Sequence, residues 1–195
     1  RRAALDHARG GVLYRLGRLD ESLASYQRAY DVQKELLGEE HPLVAQTLNH
    51  MGNVLILQGR YVDARLKCEQ ALAIRRETLG ARHPRVAAPL NNLAEIFERQ
   101  GQPEESLAHA ERALELVRGS GRQEELFAWI LVARAQQALA HPAEELAARR
   151  EVLLLLDTHP SFDQGSRSEH VARVEALTSR AASPAPTGPA PAPAP

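Results

Sequence analysis

The chain returns to itself every 42 residues. Gly17, Gly59 and Gly101 stand 42 apart, as do Gly10, Gly52 and Ala94, and again Ala29, Ala71 and Ala113. Gly38-Glu39-Glu40-His41-Pro42 returns as Gly80-Ala81-Arg82-His83-Pro84. Small residues and helix breakers at a fixed period of this size mark a stacked-repeat solenoid, in which each unit buries its face only against its neighbours. Such an array presents a long surface, so holding another protein is the first functional expectation.

The second repeat is the clearest. Residues 43–57 carry Leu48, Met51, Gly52 and Leu55 at the spacing of one apolar helical face. Gly59-Arg60 interrupts, and residues 61–79 form a second helix with Ala64, Cys68, Ala71 and Ile74 inward. Gly80 suits the left-handed position past a helix end, and Pro84 the first turn of the next helix. The same template predicts helices over about 3–16 and 20–37 in repeat one, with the first of these poor in apolar positions, and over 86–99 and 103–117 in repeat three. A fourth pair over about 123–139 and 142–156 diverges. Its spacing shrinks to about 39, which puts Trp129 at the position of Leu90 and Ala133 at that of Ala94, with the register of its second helix open by one residue. The predicted organisation is a solenoid over 1–180, with repeats at about 3–38, 43–80, 85–119 and 123–157 and a capping helix at 168–180, followed by a disordered tail over 181–195. That tail is Ala, Pro, Ser, Thr and Gly without charge and holds half of the prolines.

Composition narrows the function. A formal net charge of −1 gives no basic excess to draw phosphates, and 4% aromatic residues give no stacking platform, so nucleic acid is disfavoured. No apolar run approaches the ~20 residues that span a bilayer, so no membrane partner is expected. Cys68 is the sole cysteine, which precludes an internal disulfide and favours the cytoplasm. The chain begins Arg1-Arg2 rather than with Met, and reads as a piece of a longer protein.

The repeats resemble the tetratricopeptide repeat. Repeat two shows Leu48-x-x-Met51-Gly52-x-x-Leu55 then Ala64-x-x-x-Cys68-x-x-Ala71, and repeat three Leu90-x-x-Leu93-Ala94-x-x-Phe97 then Ser106-x-x-x-Ala110-x-x-Ala113. Repeat one keeps Gly10, Leu13, Ser22, Tyr26 and Ala29 but has Asp6 where the large residue belongs. The common repeat has about 34 residues. The longer period here, the Gly-x-x-His-Pro corner and the run Leu90-Asn91-Asn92-Leu93-Ala94 are similar to the kinesin light chain subclass. That resemblance implies an all-α right-handed superhelix of three regular helix pairs, one degenerate pair and a cap. A softer resemblance is to the C-terminal regions of bacterial serine/threonine kinases, which would make this piece an interaction or regulatory segment of a signalling protein. The kinase catalytic motifs themselves are absent.

Catalytic chemistry finds no footing: there is no Gly-x-Ser-x-Gly and no phosphate-cradling glycine loop, and Glu104-Glu105 and Glu144-Glu145 are helix-start charges pointing apart. No cofactor is implied. His41, His83, His141 and His159 each precede proline and read as corner residues rather than metal ligands. Cys68 and Trp129 read as core. The candidate site is the peptide-binding groove on the first helices of the pairs: Gln46, Asn49, His50 and Asn53 in repeat two, and Asn91, Asn92, Glu95 and Arg99 in repeat three. Asparagine inside a helix costs propensity, while its amide both donates and accepts, as reading a peptide backbone requires. The competing reading is that Asn49 and Asn91 only bond neighbouring helices.

Overall fold

The structure, a computed structural model, describes residues 2–159, 161–162, 165 and 167–182. The helices of the described residues form four antiparallel pairs and a terminal helix: α1 (Arg2–Arg15) with α2 (Leu19–Leu37), α3 (Pro42–Leu57) with α4 (Tyr61–Leu79), α5 (Ala87–Arg99) with α6 (Pro103–Val117), α7 (Gln123–Ala138) with α8 (Pro142–Thr158), then α9 (Arg167–Ala182). No strand occurs among the described residues. The fold is the expected all-α solenoid of helix pairs. Helix α9 runs through residues 181–182, and the rest of the predicted tail, 183–195, lies outside the described residues.

The repeated corners are built as the sequence implies. Gly38 and Gly80 close α2 and α4 with φ of 87° and 89°. His41 and His83 each accept, at Nδ1 and 3.1 Å, the backbone N–H two residues on, a side-chain cap for the helix start. Repeat three differs from a single helix over 86–99: residues Pro84–Val86 form a 3-10 turn before α5. Pro89 has no N–H to bond the Arg85 carbonyl four residues back. The buried Arg75 guanidinium takes that carbonyl instead, donating from Nη1 at 2.5 Å. In repeat two the same two places hold Thr47 and Gln33, joined at 2.7 Å.

Within each pair the helices touch through small residues. A Cβ built on Gly10 would stand 2.8 Å from the Tyr26 ring, and one on Gly52 2.5 Å from Cys68 Sγ. The pairs Gly10–Tyr26, Gly52–Cys68 and Ala94–Ala110 therefore trade volume across one contact. Cys68 is fully buried, and burial pushes its thiol up to about 12. Trp129 is core, with Arg118 over its ring at 4.9 Å.

Repeat four keeps the 39-residue offset through its second helix, which settles its register. Glu145 and Arg149 fall at the places of Ser106 and Ala110 and are buried. They make a polar core with α9: Arg149 Nε donates to Glu145 Oε1 at 2.8 Å, Arg173 donates to both Glu145 oxygens at 2.7 and 2.8 Å, and Arg149 Nη1 lies 3.2 Å from His170 Nδ1.

Candidate functional site: the inner row of helices

Among the described residues, the backbones of α1, α3, α5 and α7 approach one another in sequence, whereas those of α2, α4, α6 and α8 approach members of that row, the turn at Pro84–Val86 or α9 but not each other; α2 and α4 meet through side chains, with Lys67 over the Tyr30 ring at 5.7 Å. The first helices thus line the inside of the curve. The odd row is accordingly the more buried, its core including Val54, Leu55, Leu90, Ile96 and Leu131.

Neighbouring inner helices are joined by polar pairs set 43 apart. At the first junction His50 Nδ1 lies 3.0 Å from His7 Nε2. At the second, Asn92 Nδ2 donates to Asn49 Oδ1 at 3.2 Å and also to Asn53 Oδ1. His7, Asn49 and Asn91 hold one place in the repeat, and the next residue of the following repeat meets each of the first two. At the third junction that next residue is Leu131, so Asn91 donates instead to the Glu124 carbonyl at 2.8 Å. Its Oδ1 is left buried without a partner.

The eight candidates therefore divide. Asn49, Asn91 and Asn92 are buried, at 5%, 2% and 7% exposure, and are bonded within the array. Gln46 and Arg99 are exposed, and His50, Asn53 and Glu95 half-buried. Arg99 Nη2 reaches Glu95 Oε1 at 3.3 Å. Burial holds the Glu95 carboxyl above its ordinary range, with Arg99 opposing. Burial, then the neighbouring His7 and Arg75, pushes His50 down to about 4. Burial also lowers His7. The Tyr26 ring packs on both imidazoles, at centroid distances of 5.3 and 5.5 Å. His7 and Tyr14 also belong to this face. Tyr14 is raised by burial and then by Glu95. Sequence reading passed over both because α1 lacks the apolar pattern, yet the 42-residue shift from Asn49 lands on His7.

Among the described residues no three His, Cys, Asp or Glu side chains gather as a metal site, and no helix is long and apolar enough to cross a membrane.

A face of polar side chains along a stack of helix hairpins defines a repeat scaffold. The tetratricopeptide repeat model matches residues 1–66, 44–119 and 86–153, and the chain belongs to that family. Among solved structures it is similar to BtubC (BKLC) from P. vanneervenii, with a TM-score of 0.71 and 18% identity over 83% of this chain and 65% of that one. It therefore spans just under two thirds of that protein's length. A single-substitution form of a putative kinesin light chain from Podosopora anserina with nearly identical TPR-like repeats gives a TM-score of 0.72 at 19% identity, over 91% of this chain and 85% of that one. Another structure of that Podosopora protein gives 0.65 at 18%, covering 93% and 98%. At these identities the likeness concerns the fold. No curated protein matches the chain.

Proposed function

We propose that the chain is a non-catalytic scaffold that holds an extended segment of a partner protein along the inner row. The observation that supports this is the division of labour among its polar residues. Asn49, Asn91 and Asn92 stitch the helices, while Gln46, His50, Asn53, Glu95 and Arg99 reach solvent on the surface those stitches hold. Asn53 spends its carbonyl on Asn92, which leaves its NH2 to donate to a ligand carbonyl. Arg99 and Glu95 offer one cation and one carboxylate to a backbone or an opposite charge.

The test begins with peptides selected from a displayed random library against the whole chain, followed by calorimetry on Asn53→Ala and Arg99→Ala. Each lost contact costs about 0.5–1.5 kcal/mol, so the double variant binds about tenfold more weakly with its thermal midpoint unchanged. Selected peptides that bind the double variant as well as the parent chain would refute the inner-row site.

A further inference from the structure

The terminal helix sits apart from the pattern of the others. From α3 on, each inner helix approaches the inner helix before it, whereas the backbone of α9 approaches α8 and no other helix among the described residues. It carries one buried large apolar side chain, Leu177, with Val171 and Val174 half-buried. The rest of its seat is polar. Arg173 donates to both oxygens of Glu145, and the buried His170 lies against Arg149. A further pair, Arg167 with Asp157 at 2.8 Å, is exposed and adds little.

Geometry fixes the state of that imidazole. A guanidinium only donates, so His170 Nδ1, 3.2 Å from Arg149 Nη1, must accept, and the docked ring is neutral with its proton on Nε2. A proton on Nδ1 would remove the acceptor and set two cations in contact where neither is open to water, since His170 and Arg149 are each 2% exposed. Arg149 cannot withdraw, because its Nε and Nη2 are bound to Glu145 and to Gln137 of α7 at 2.8 and 2.7 Å. The other charges around the ring do not compensate. Glu145 is shared between two guanidinium groups, and Glu169 is exposed, with Oε1 3.9 Å from Arg149 Nη1. Arg134 of α7 is a further cation, 3.6 Å from Glu98. Burial and then Arg149 accordingly hold His170 below its ordinary range, with Glu169 opposing and Arg134 adding. Burial works to raise Glu145, but the hydrogen bonds from Arg173 and Arg149 outweigh it and hold the carboxyl below its own range, so it keeps its charge where the imidazole titrates.

We infer that α9 is an acid-released cap: protonation of the His170 imidazole lifts the helix from α8 while the repeats before it stay folded. Once released, the ring returns to about 6.5. Docking is at full strength above that value and weakens below it, by up to about tenfold in the docking equilibrium per pH unit, because the free helix binds a proton that the docked one excludes. Release opens Glu145 and Arg149 to solvent at the end of the array.

The test is hydrogen exchange of the whole chain, read segment by segment by mass spectrometry and corrected for the intrinsic pH dependence of amide exchange. From about pH 7.5 to about pH 5 the α9 amides lose at least about tenfold in protection, while those of α6 hold. His170→Gln, whose amide oxygen still accepts from Arg149 but takes no proton, keeps α9 protected at the acid end. His170→Lys, a permanent cation at the same place, frees α9 at the neutral end. His50→Gln leaves the α9 response as it is, which separates it from acid effects at the other end of the array. Three results overturn the proposal: α9 protection that does not change with pH, a loss that persists in His170→Gln, or a loss shared equally by α6, which would be unfolding of the array rather than release of its cap.

Discussion

Ala140→Gly should make the protein more stable. Ala140 is the one non-glycine residue with positive φ among the described residues, at 59°. It sits 39 residues past Gly101, at the corner that Gly17, Gly59 and Gly101 turn with φ of 72°, 73° and 72°. An L-residue in this conformation costs about 1–2 kcal/mol, and glycine gives back about 0.5–1 kcal/mol through its freer unfolded chain. The net gain is about 0.5–1 kcal/mol, or roughly 1–4 °C in a chain of this size. No atom lies within 4 Å of a Cβ built on Gly101, so Gly101→Ala tests the same backbone preference without steric confusion and should lower the midpoint. Thermal melts followed by circular dichroism, with urea titrations to confirm an unchanged m-value, measure both. The gain should also appear as slower amide exchange in α8, because repeat arrays open locally. An Ala140→Gly protein that melts lower while Gly101→Ala costs 1 kcal/mol or more, within the ~1–2 kcal/mol range, would refute the argument.

Gly52→Ala should cost about 1–3 kcal/mol by overpacking against Cys68 Sγ, and adding Cys68→Ala should recover most of it, reproducing the Ala94–Ala110 contact of repeat three; additive losses in that double-mutant cycle would count against a direct clash. Asn92→Ala should destabilise by about 1–3 kcal/mol, because it strands the Asn49 and Asn53 carbonyls, whereas Asn53→Ala on the half-buried rim should stay within about 0.5 kcal/mol. Acid should weaken the fold through His50. Its folded pKa, about 4, lies below the unfolded 6.5, so between those values the unfolded chain holds a proton that the folded chain does not. Stability then falls by up to about 1.4 kcal/mol per pH unit as pH drops through that window. His50→Gln should flatten the slope of midpoint against pH from 6.5 to about 4; an unchanged slope would assign it to other groups.

The helices, corners and small-residue contacts were legible because each rests on chemistry visible at one position: a glycine past a helix end, a proline at a start, a residue without bulk where two helices meet. The trade between Gly10 and Tyr26 or Ala94 and Ala110 is visible once the repeats are superposed. What stayed hidden are relations between positions that do not share a register. His7 meets His50 and Asn92 meets Asn49 at a spacing of 43, so a search at the period itself steps past them. The rescue of the Arg85 carbonyl by Arg75 depends on Pro89, which removes a donor without announcing who replaces it. The buried Glu145–Arg149 pair reads in sequence as an ordinary surface i,i+4 couple, and only the docking of α9 encloses it. Among the candidates, asparagine in a helix marked inner-row positions well, but residue type alone does not tell a stitch from a reader.

Because the inner helices approach one another along their backbones, while outer neighbours meet through side chains such as Lys67 over Tyr30, the array has a stiff inner line and a more compliant back. A small rotation at any junction pivots about the polar pair there, His7 with His50 or Asn49 with Asn92, while α2, α4 and α6 swing apart or together with only side-chain contacts such as Lys67 over Tyr30 to adjust. Such rotations add along three junctions, so the pitch of the superhelix can be tuned to the length of whatever lies along it. The chemistry of each junction then sets how readily it turns: an imidazole pair that protonation splits at the first, amides indifferent to pH at the second, and at the third a backbone carbonyl that offers no side chain to let go.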